Sequence, residues 1–451
     1  MSKDRFIVEG TAGKRTLRGE LPVRGAKNAA LKFLAATVLF GDDVSFSNMP
    51  AIEDVHRIGE LLSASGAHVA TDTRGRSITV SQPDAWRSGL DTAIAKRLRA
   101  SIVLTGPMLA RTGRVEFPFP GGCVLGERPI DLFLSGFKAL GAEVEERDEK
   151  FIVSAKGGKL HGASIFFPIV SVTGTETLML ASALAEGETI LENAAMEPEI
   201  VALAEMLNAS GAQIEGAGTP IIHVRGTAGT LLRAEGKTFA VPPDRIEAGS
   251  FLVLAALAGD DVVVRDCEPN HLRSMLDIFE RAGVQIEVGK DYVRVRGGAA
   301  SEPYKSVSVR THEYPGFPTD LQALIAIFLT QAQGEATVLE TIFDSRFRYA
   351  EDLAKMGADI TVMNPHRILI RGPRALHRAT LESPDLRAGL AYLTAAAIAD
   401  GVSQIENAYV IDRGYERIEE RLSAIGLRIR REGEVCTPAS VGIPVSEAAL
   451  S

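Results

Sequence analysis

Cysteine is scarce in this 451-residue chain, which holds only Cys123, Cys267 and Cys436. Three scattered thiols build neither a disulfide framework nor a zinc site, and the histidines show no metal-ligand spacing, so no metal or other cofactor is expected. Any of these thiols is left available for chemistry of its own. Long apolar runs are missing as well. No stretch approaches the ~18 residues of a membrane span, and the start Met1-Ser2-Lys3-Asp4-Arg5 has no apolar segment of the kind a secretory signal requires. A cytoplasmic protein without membrane contact is the expectation. Positive charge is in deficit, with 49 Lys and Arg against 58 Asp and Glu, a formal net charge of −9. Phosphate-backbone binding needs a basic face, so a general nucleic-acid binder is excluded while a local basic cleft is not.

What the chain does have is repetition. Gly66, Gly141, Gly211, Gly283, Gly357 and Gly426 each end a helix-like stretch and lead into a β-type run. A second series, Gly41, Gly113, Gly187, Gly259, Gly334 and Gly401, runs in phase with it, each closing a stretch rich in Ala, Leu, Val and Ile. Both series recur about every 70–75 residues, longer than the usual solenoid periods. Each copy reads strand, buried helix, strand, amphipathic helix, two strands. The third copy is the plainest, with an Ala/Leu/Met helix over 176–186, a strand over 188–193, a helix over 200–210 and two strands within 213–224.

Length alone suggests about three domains of ~150 residues, but six copies group more naturally as two domains of three. The first helix of each copy is apolar on nearly every face and therefore belongs inside a domain. The fold expected is α/β, a two-domain inside-out α/β barrel of six βαβαββ repeats. Its first domain spans 24–240. The second combines 1–23 with 241–430, and 431–451 forms a loose tail. Val241-Pro242-Pro243-Asp244 marks the hinge, and the strand near Phe6 is placed to cross over and complete the second domain.

Function should lie where a copy departs from its siblings. The largest departure is Pro120-Gly121-Gly122-Cys123, followed by Arg128-Pro129-Ile130-Asp131-Leu132, where Pro129 fits the first position of a helix. Glycines let backbone approach or close over a ligand, and a helix start with a nearby Arg favours anions and a reactive thiol. On spacing alone, a buried inert cysteine explains Cys123 equally well. Lys27-Asn28 stands at the first buried helix, where Lys27 suits either a phosphate clamp or a solvated helix start. Arg99, Arg346, Arg387 and Arg413 occupy comparable element ends and would face one interdomain gap, making it basic inside an acidic protein. Asp320 opens the buried helix of the fifth copy, as a general base or as an N-cap.

At these residues the chain resembles the enolpyruvyl transferases over about residues 5–430. The resemblance rests on Gly25-Ala26-Lys27-Asn28-Ala29-Ala30-Leu31, on the Cys123 and Arg128 stretches, on Phe317-Pro318-Thr319-Asp320 and on Asp412-Arg413-Gly414-Tyr415-Glu416-Arg417. Arg24, Lys32, Ile169 and Thr177 depart from the family's pattern. The resemblance implies the inside-out fold, no cofactor, and transfer from phosphoenolpyruvate to UDP-N-acetylglucosamine in peptidoglycan precursor synthesis. It assigns catalysis to Cys123, Asp320, Lys27 and Arg413, and phosphoenolpyruvate binding to Lys27, Asn28, Arg128, Arg387 and Arg413. For the nucleotide sugar it implies Arg99, Arg128, Pro129, Ile130, Asp131, Leu132, Val170, Ser171, Val172, Thr173, Asp320, Ile342 and Arg346. Cys123 would be alkylated by fosfomycin. Alternatives are another acceptor, such as a free uridine nucleotide or shikimate 3-phosphate, or a non-catalytic paralogue that binds UDP-sugar.

Overall fold

In the computed structural model the described residues are 4–72, 74, 76–119, 130–297, 303–344 and 346–433. Cys123, Arg128, Pro129 and Cys436 lie outside them.

Three helices that are apolar all round can satisfy water only by avoiding it. Arg245–Ala258 is buried from Ile246 onward, Gln322–Thr330 throughout, and Leu386–Ile398 from Arg387 onward. These three pack on one another at the centre of one core, which also takes in Phe6, Leu17 and Val23 from the start of the chain. A second core runs from Ala26 to Val241 around the helices Lys27–Ala36, Thr105–Thr112 and Val172–Ser182. Amphipathic helices such as Arg273–Ala282 bury one stripe, here Met275, Ile278, Phe279 and Ala282. The third copy's helices begin earlier than the composition suggests, at Val172 and Pro198, because Ser171 caps the first and Pro198 opens the second. All six glycines of the first series adopt a positive φ, from 85° at Gly283 to 113° at Gly66. That left-handed turn reverses the chain after each outer helix, which is why the series is so regular.

Among the described residues six sheets cover the two cores, one per copy. The fifth copy shows the common plan. Val309–Arg310 runs parallel to Gly334–Leu339, which pairs with the antiparallel hairpin of Arg367–Gly372 and Asp359–Asn364. In the second copy the leading strand shrinks to one bridge, Gly89 to Glu116, leaving three strands. Three copies borrow a strand from a distant part of the chain. Thr238–Ala240 leads the first copy's sheet beside Val44–Ser47, and Leu17–Pro22 leads the fourth beside Gly259–Arg265. Arg5–Glu9 sits between Val402–Glu406 and Arg428–Glu432, so that Phe6 lies opposite both Ile405 and Arg431. Each core is thereby closed by strands far apart in sequence.

The chain passes between the two cores twice, near residues 24 and 243, and the two passages lie side by side. Ala26 N donates to Pro242 O at 2.7 Å and Asp244 N to Arg24 O at 2.8 Å. Gly25 is required there, because a Cβ would stand 1.9 Å from Asn48 O. This double connection puts the helix starts at Lys27 and Arg245 next to each other, at the junction of the two units. No described helix is long and apolar enough to cross a membrane.

Candidate active site

Lys27 is not the solvated helix start that its position alone allows. Its backbone N–H donates to Asp244 Oδ2 at 3.1 Å, while its Nζ lies 2.7 Å from Asp54 Oδ2, both side chains being almost fully buried. Asp244 also caps its own helix by accepting from Ile246 N and Glu247 N. One carboxylate therefore serves two helix starts, one in each unit. Asp54, in the first turn of Glu53–Ala64, receives a second cation from the other unit, with Arg413 Nε at 2.9 Å. Burial pushes the Asp54 carboxyl up, but Lys27 and Arg413 outweigh it and hold the group below the usual carboxylate range. Burial and the neighbouring Arg387 and Arg413 lower the Lys27 ammonium, against the opposing pull of Asp54.

A second carboxylate organises the other side. Asp320 lies in the turn Thr319–Leu321 and makes no capping hydrogen bond, contrary to the simplest reading of its position. It instead accepts from Arg346 at 2.8 Å and from Arg387 at 3.2 Å. Burial again raises the carboxyl, and the two guanidinium groups more than reverse this, placing it well below the ordinary range. Arg387 donates also to Tyr415 OH at 3.0 Å, and that hydroxyl lies 3.2 Å from Ser250 Oγ. Arg346 is fixed by Thr319 Oγ1, which donates to the buried Glu340. Glu340 accepts from the Ile342 and Phe343 amides, which sets the loop that carries Ile342 and Arg346.

Five predicted residues, Lys27, Asp320, Arg346, Arg387 and Arg413, thus converge on one junction, with Asn28 half-buried beside Lys27. Of the predicted acceptor residues, Arg99, Ile130, Asp131, Leu132, Val170, Ser171, Val172 and Thr173 belong to the first unit, whereas Asp320, Ile342 and Arg346 belong to the second. Ser171 caps its helix by accepting from Gly174 N at 3.1 Å, and Val170, Val172 and Thr173 are half-buried around it. Leu132 packs onto Gly174, where a Cβ would approach it to 2.5 Å, so the start of Asp131–Ala139 meets this turn. Ile130 is half-buried and Asp131 exposed at that helix start, and Arg99 opens the turn Arg99–Leu104. Sequence reasoning missed Asp54, Asp244 and Tyr415 as members of the site. An acid in the first turn of a helix is ordinary, so Asp54 carried no signal of its own.

Across the junction the units are joined at several more points. Tyr409 OH donates to Glu53 at 2.9 Å and Ala51 N to Glu416 at 3.1 Å. Arg245 pairs with Glu199 at 3.1 Å, and Tyr314 N donates to Glu197 at 3.3 Å. The junction thus gathers fixed guanidinium and ammonium groups around two carboxylates. Groups of these kinds can stabilise a small polyanion and accept a proton.

Residues 11–422 match the family model of EPSP synthase (3-phosphoshikimate 1-carboxyvinyltransferase). The chain belongs to this family, the enolpyruvyl transferases. Among its relatives, the UDP-N-acetylglucosamine 1-carboxyvinyltransferase of Desulfosudis oleivorans is 41% identical over 428 residues, covering 95% of this chain and 99% of that protein. The protein of the same name from Acidobacterium capsulatum is 43% identical over 437 residues, covering 96% and 97%. The fold is that of solved enolpyruvyl transferases. NikO from Streptomyces tendae superposes with a TM-score of 0.85 at 23% identity, over 96% of this chain and 100% of that one. EPSP synthase from Acinetobacter baumannii gives 0.72 at 18% identity, over 95% and 100%. The two-domain inside-out α/β architecture is therefore the one the repeats led us to expect.

Proposed function

We propose that the chain transfers the enolpyruvyl group of phosphoenolpyruvate to the 3′-hydroxyl of the sugar in UDP-N-acetylglucosamine, releasing inorganic phosphate, the first committed step of peptidoglycan precursor synthesis. The observation that carries this is the convergence of Lys27, Arg346, Arg387 and Arg413 around Asp54 and Asp320 at the junction of the units. The named relatives supply the acceptor.

The reaction is an addition followed by an elimination. Asp320 takes the proton of the sugar hydroxyl as its oxygen bonds to the central carbon of phosphoenolpyruvate, and Cys123 gives a proton to the methylene carbon. Phosphate then leaves with its bonding pair, and the methyl group returns a proton to the Cys123 thiolate, restoring the double bond and the thiol. Each proton transfer of this kind is worth about 10²–10⁴-fold. Lys27, Arg128, Arg387 and Arg413 hold the phosphate and carboxylate of the donor, and Asn28 orients the intermediate. Arg99, Arg128, Pro129, Ile130, Asp131, Leu132, Val170, Ser171, Val172, Thr173, Ile342 and Arg346 receive the nucleotide sugar. The units 24–240 and 1–23 with 241–430 close on both reactants; the expected tail does not begin at 431, because the strand Arg428–Glu432 carries the second unit's sheet past that point.

The electrostatics give this reading a consequence. Asp320 flanked by two arginines is ionised, as a base must be, yet that same flanking makes it a weak one. When the donor's anionic groups draw on Arg387, the carboxylate shares its partners and its proton affinity rises. Binding of the donor thus switches on the base. The test is phosphate release from purified protein supplied with phosphoenolpyruvate and each acceptor in turn. Release is expected only with UDP-N-acetylglucosamine. Release with a free uridine nucleotide or shikimate 3-phosphate instead would overturn the assignment.

A further inference from the structure

A buried ion pair that none of the proposed roles uses lies beneath the two helix starts of the first unit. Lys32 stands on Lys27–Ala36 four residues after Asn28, and Glu176 on Val172–Ser182 three residues after Thr173. Helix side chains lean toward the N-terminus, so each reaches back under the turn that carries the proposed substrate contacts. Lys32 Nζ is 3.1 Å from Glu176 Oε2, with side-chain exposures of 7% and 0%. Apart from Lys32, neither Glu176 oxygen has a hydrogen-bonding partner among the described residues. Glu197 and Glu199, at the start of the neighbouring helix Pro198–Asn208, add their negative charge. Burial, only partly countered by Lys32, pushes the Glu176 carboxyl up to about 7. An apolar pair of similar volume would be stabilised at least as well in this place. The buried charges call for another explanation.

The two helix starts are anchored unequally. Three contacts hold the first: Ala26 N to Pro242 O at 2.7 Å, Lys27 N to Asp244 at 3.1 Å, and Lys27 Nζ to Asp54 at 2.7 Å. The first turn of the second has its own Ser171 cap, the packing of Leu132 on Gly174 and Thr175 Oγ1 accepting from Ala195 N at 3.0 Å, all within the first unit, whereas Asp244 and Pro242 tie the Lys27 start to the second unit as well. We propose that Lys32 is a positioning residue: through its ion pair with Glu176 it ties the 171–173 turn to the better-anchored helix at Lys27, and so sets where the acceptor lies relative to the donor. This inference rests on the acceptor reading given above.

The test compares wild type, Lys32→Met and the double variant Lys32→Met with Glu176→Met by steady-state phosphate release, with the melting temperature measured alongside. The double variant leaves no unpaired buried charge and should fold even where the single one does not. In either variant, KM for UDP-N-acetylglucosamine should rise roughly ten-fold, a loss of the order a modest misplacement produces. KM for phosphoenolpyruvate and kcat should stay within about two-fold of wild type. The proposal is overturned if the double variant keeps the wild-type KM for the sugar nucleotide, or if both KM values and kcat change together in step with the melting temperature. A wild-type protein that turns over no sugar nucleotide overturns the functional reading, and this inference with it; wild-type turnover with unchanged variants overturns this inference alone.

Discussion

Asp54 and Asp320 each hold two cations at the junction, but Asp54 draws one from each unit, whereas both partners of Asp320 come from the second. The Asp54–Arg413 contact crosses the junction and exists only while the units are closed, whereas Lys27–Asp54 lies within the first unit. Asp320 with Arg346 and Arg387 is wired within one unit and would survive opening. The same chemistry, a carboxylate between two cations, therefore serves closure in one place and keeps a base in readiness in the other. What separates them is which unit supplies the partners.

Replacing Asp320 should cost the most. Asp320→Asn removes the proton acceptor, and kcat should fall about 10²–10⁴-fold, while small-angle scattering shows the same compact particle as wild type. Asp54→Asn should do the reverse. It leaves Arg413 and Lys27 without the carboxylate that joins them, and the units should part, giving a larger radius of gyration and a kcat lower by about ten-fold. A compact Asp54→Asn protein, or an opened Asp320→Asn protein, would erase the distinction.

The smallest effect is one of pH. The carboxyl of Asp54 lies below its ordinary value, so its contribution to stability is present above the unfolded pKa and is lost only as the pH falls through the folded one, below the ordinary 3.8. Asp320 follows the same sign. Glu176 has the opposite sign. Its pKa is raised from 4.5 to about 7, so its contribution is complete below 4.5 and is lost as the pH rises through 7. Melting temperature should therefore decline between about pH 5 and pH 8, and Glu176→Gln should flatten that decline while Asp54→Asn leaves it in place. An equal slope in wild type and Glu176→Gln would show that Glu176 does not titrate there.

Much of this molecule could be read from its residues. The glycine that ends each outer helix recurs because each copy needs the same left-handed turn, and the all-apolar helices declare themselves as the cores. The helix starts at Lys27 and Arg387 and the loops at Asp320, Arg346 and Arg413 were suspects because equivalent ends of a repeat point one way. Other features left no local trace. Thr238–Ala240 completes a sheet nearly two hundred residues earlier in the chain, a pairing fixed by how the ring closes rather than by the strand's own residues. Asp54 looks like any acid at a helix start. Lys32 and Glu176 each read as an isolated charge in an apolar helix until folding brings them together. Contacts between distant segments carry these roles, and no window of sequence contains both partners.

The most direct test of the whole account is to incubate the protein with phosphoenolpyruvate and UDP-N-acetylglucosamine and to identify the product by mass spectrometry and NMR. The account predicts a sugar nucleotide heavier by one carboxyvinyl group, bonded through the 3′-oxygen of its sugar, with one phosphate released for each molecule formed. Phosphate released without that ether, or an ether formed at another oxygen, would contradict it.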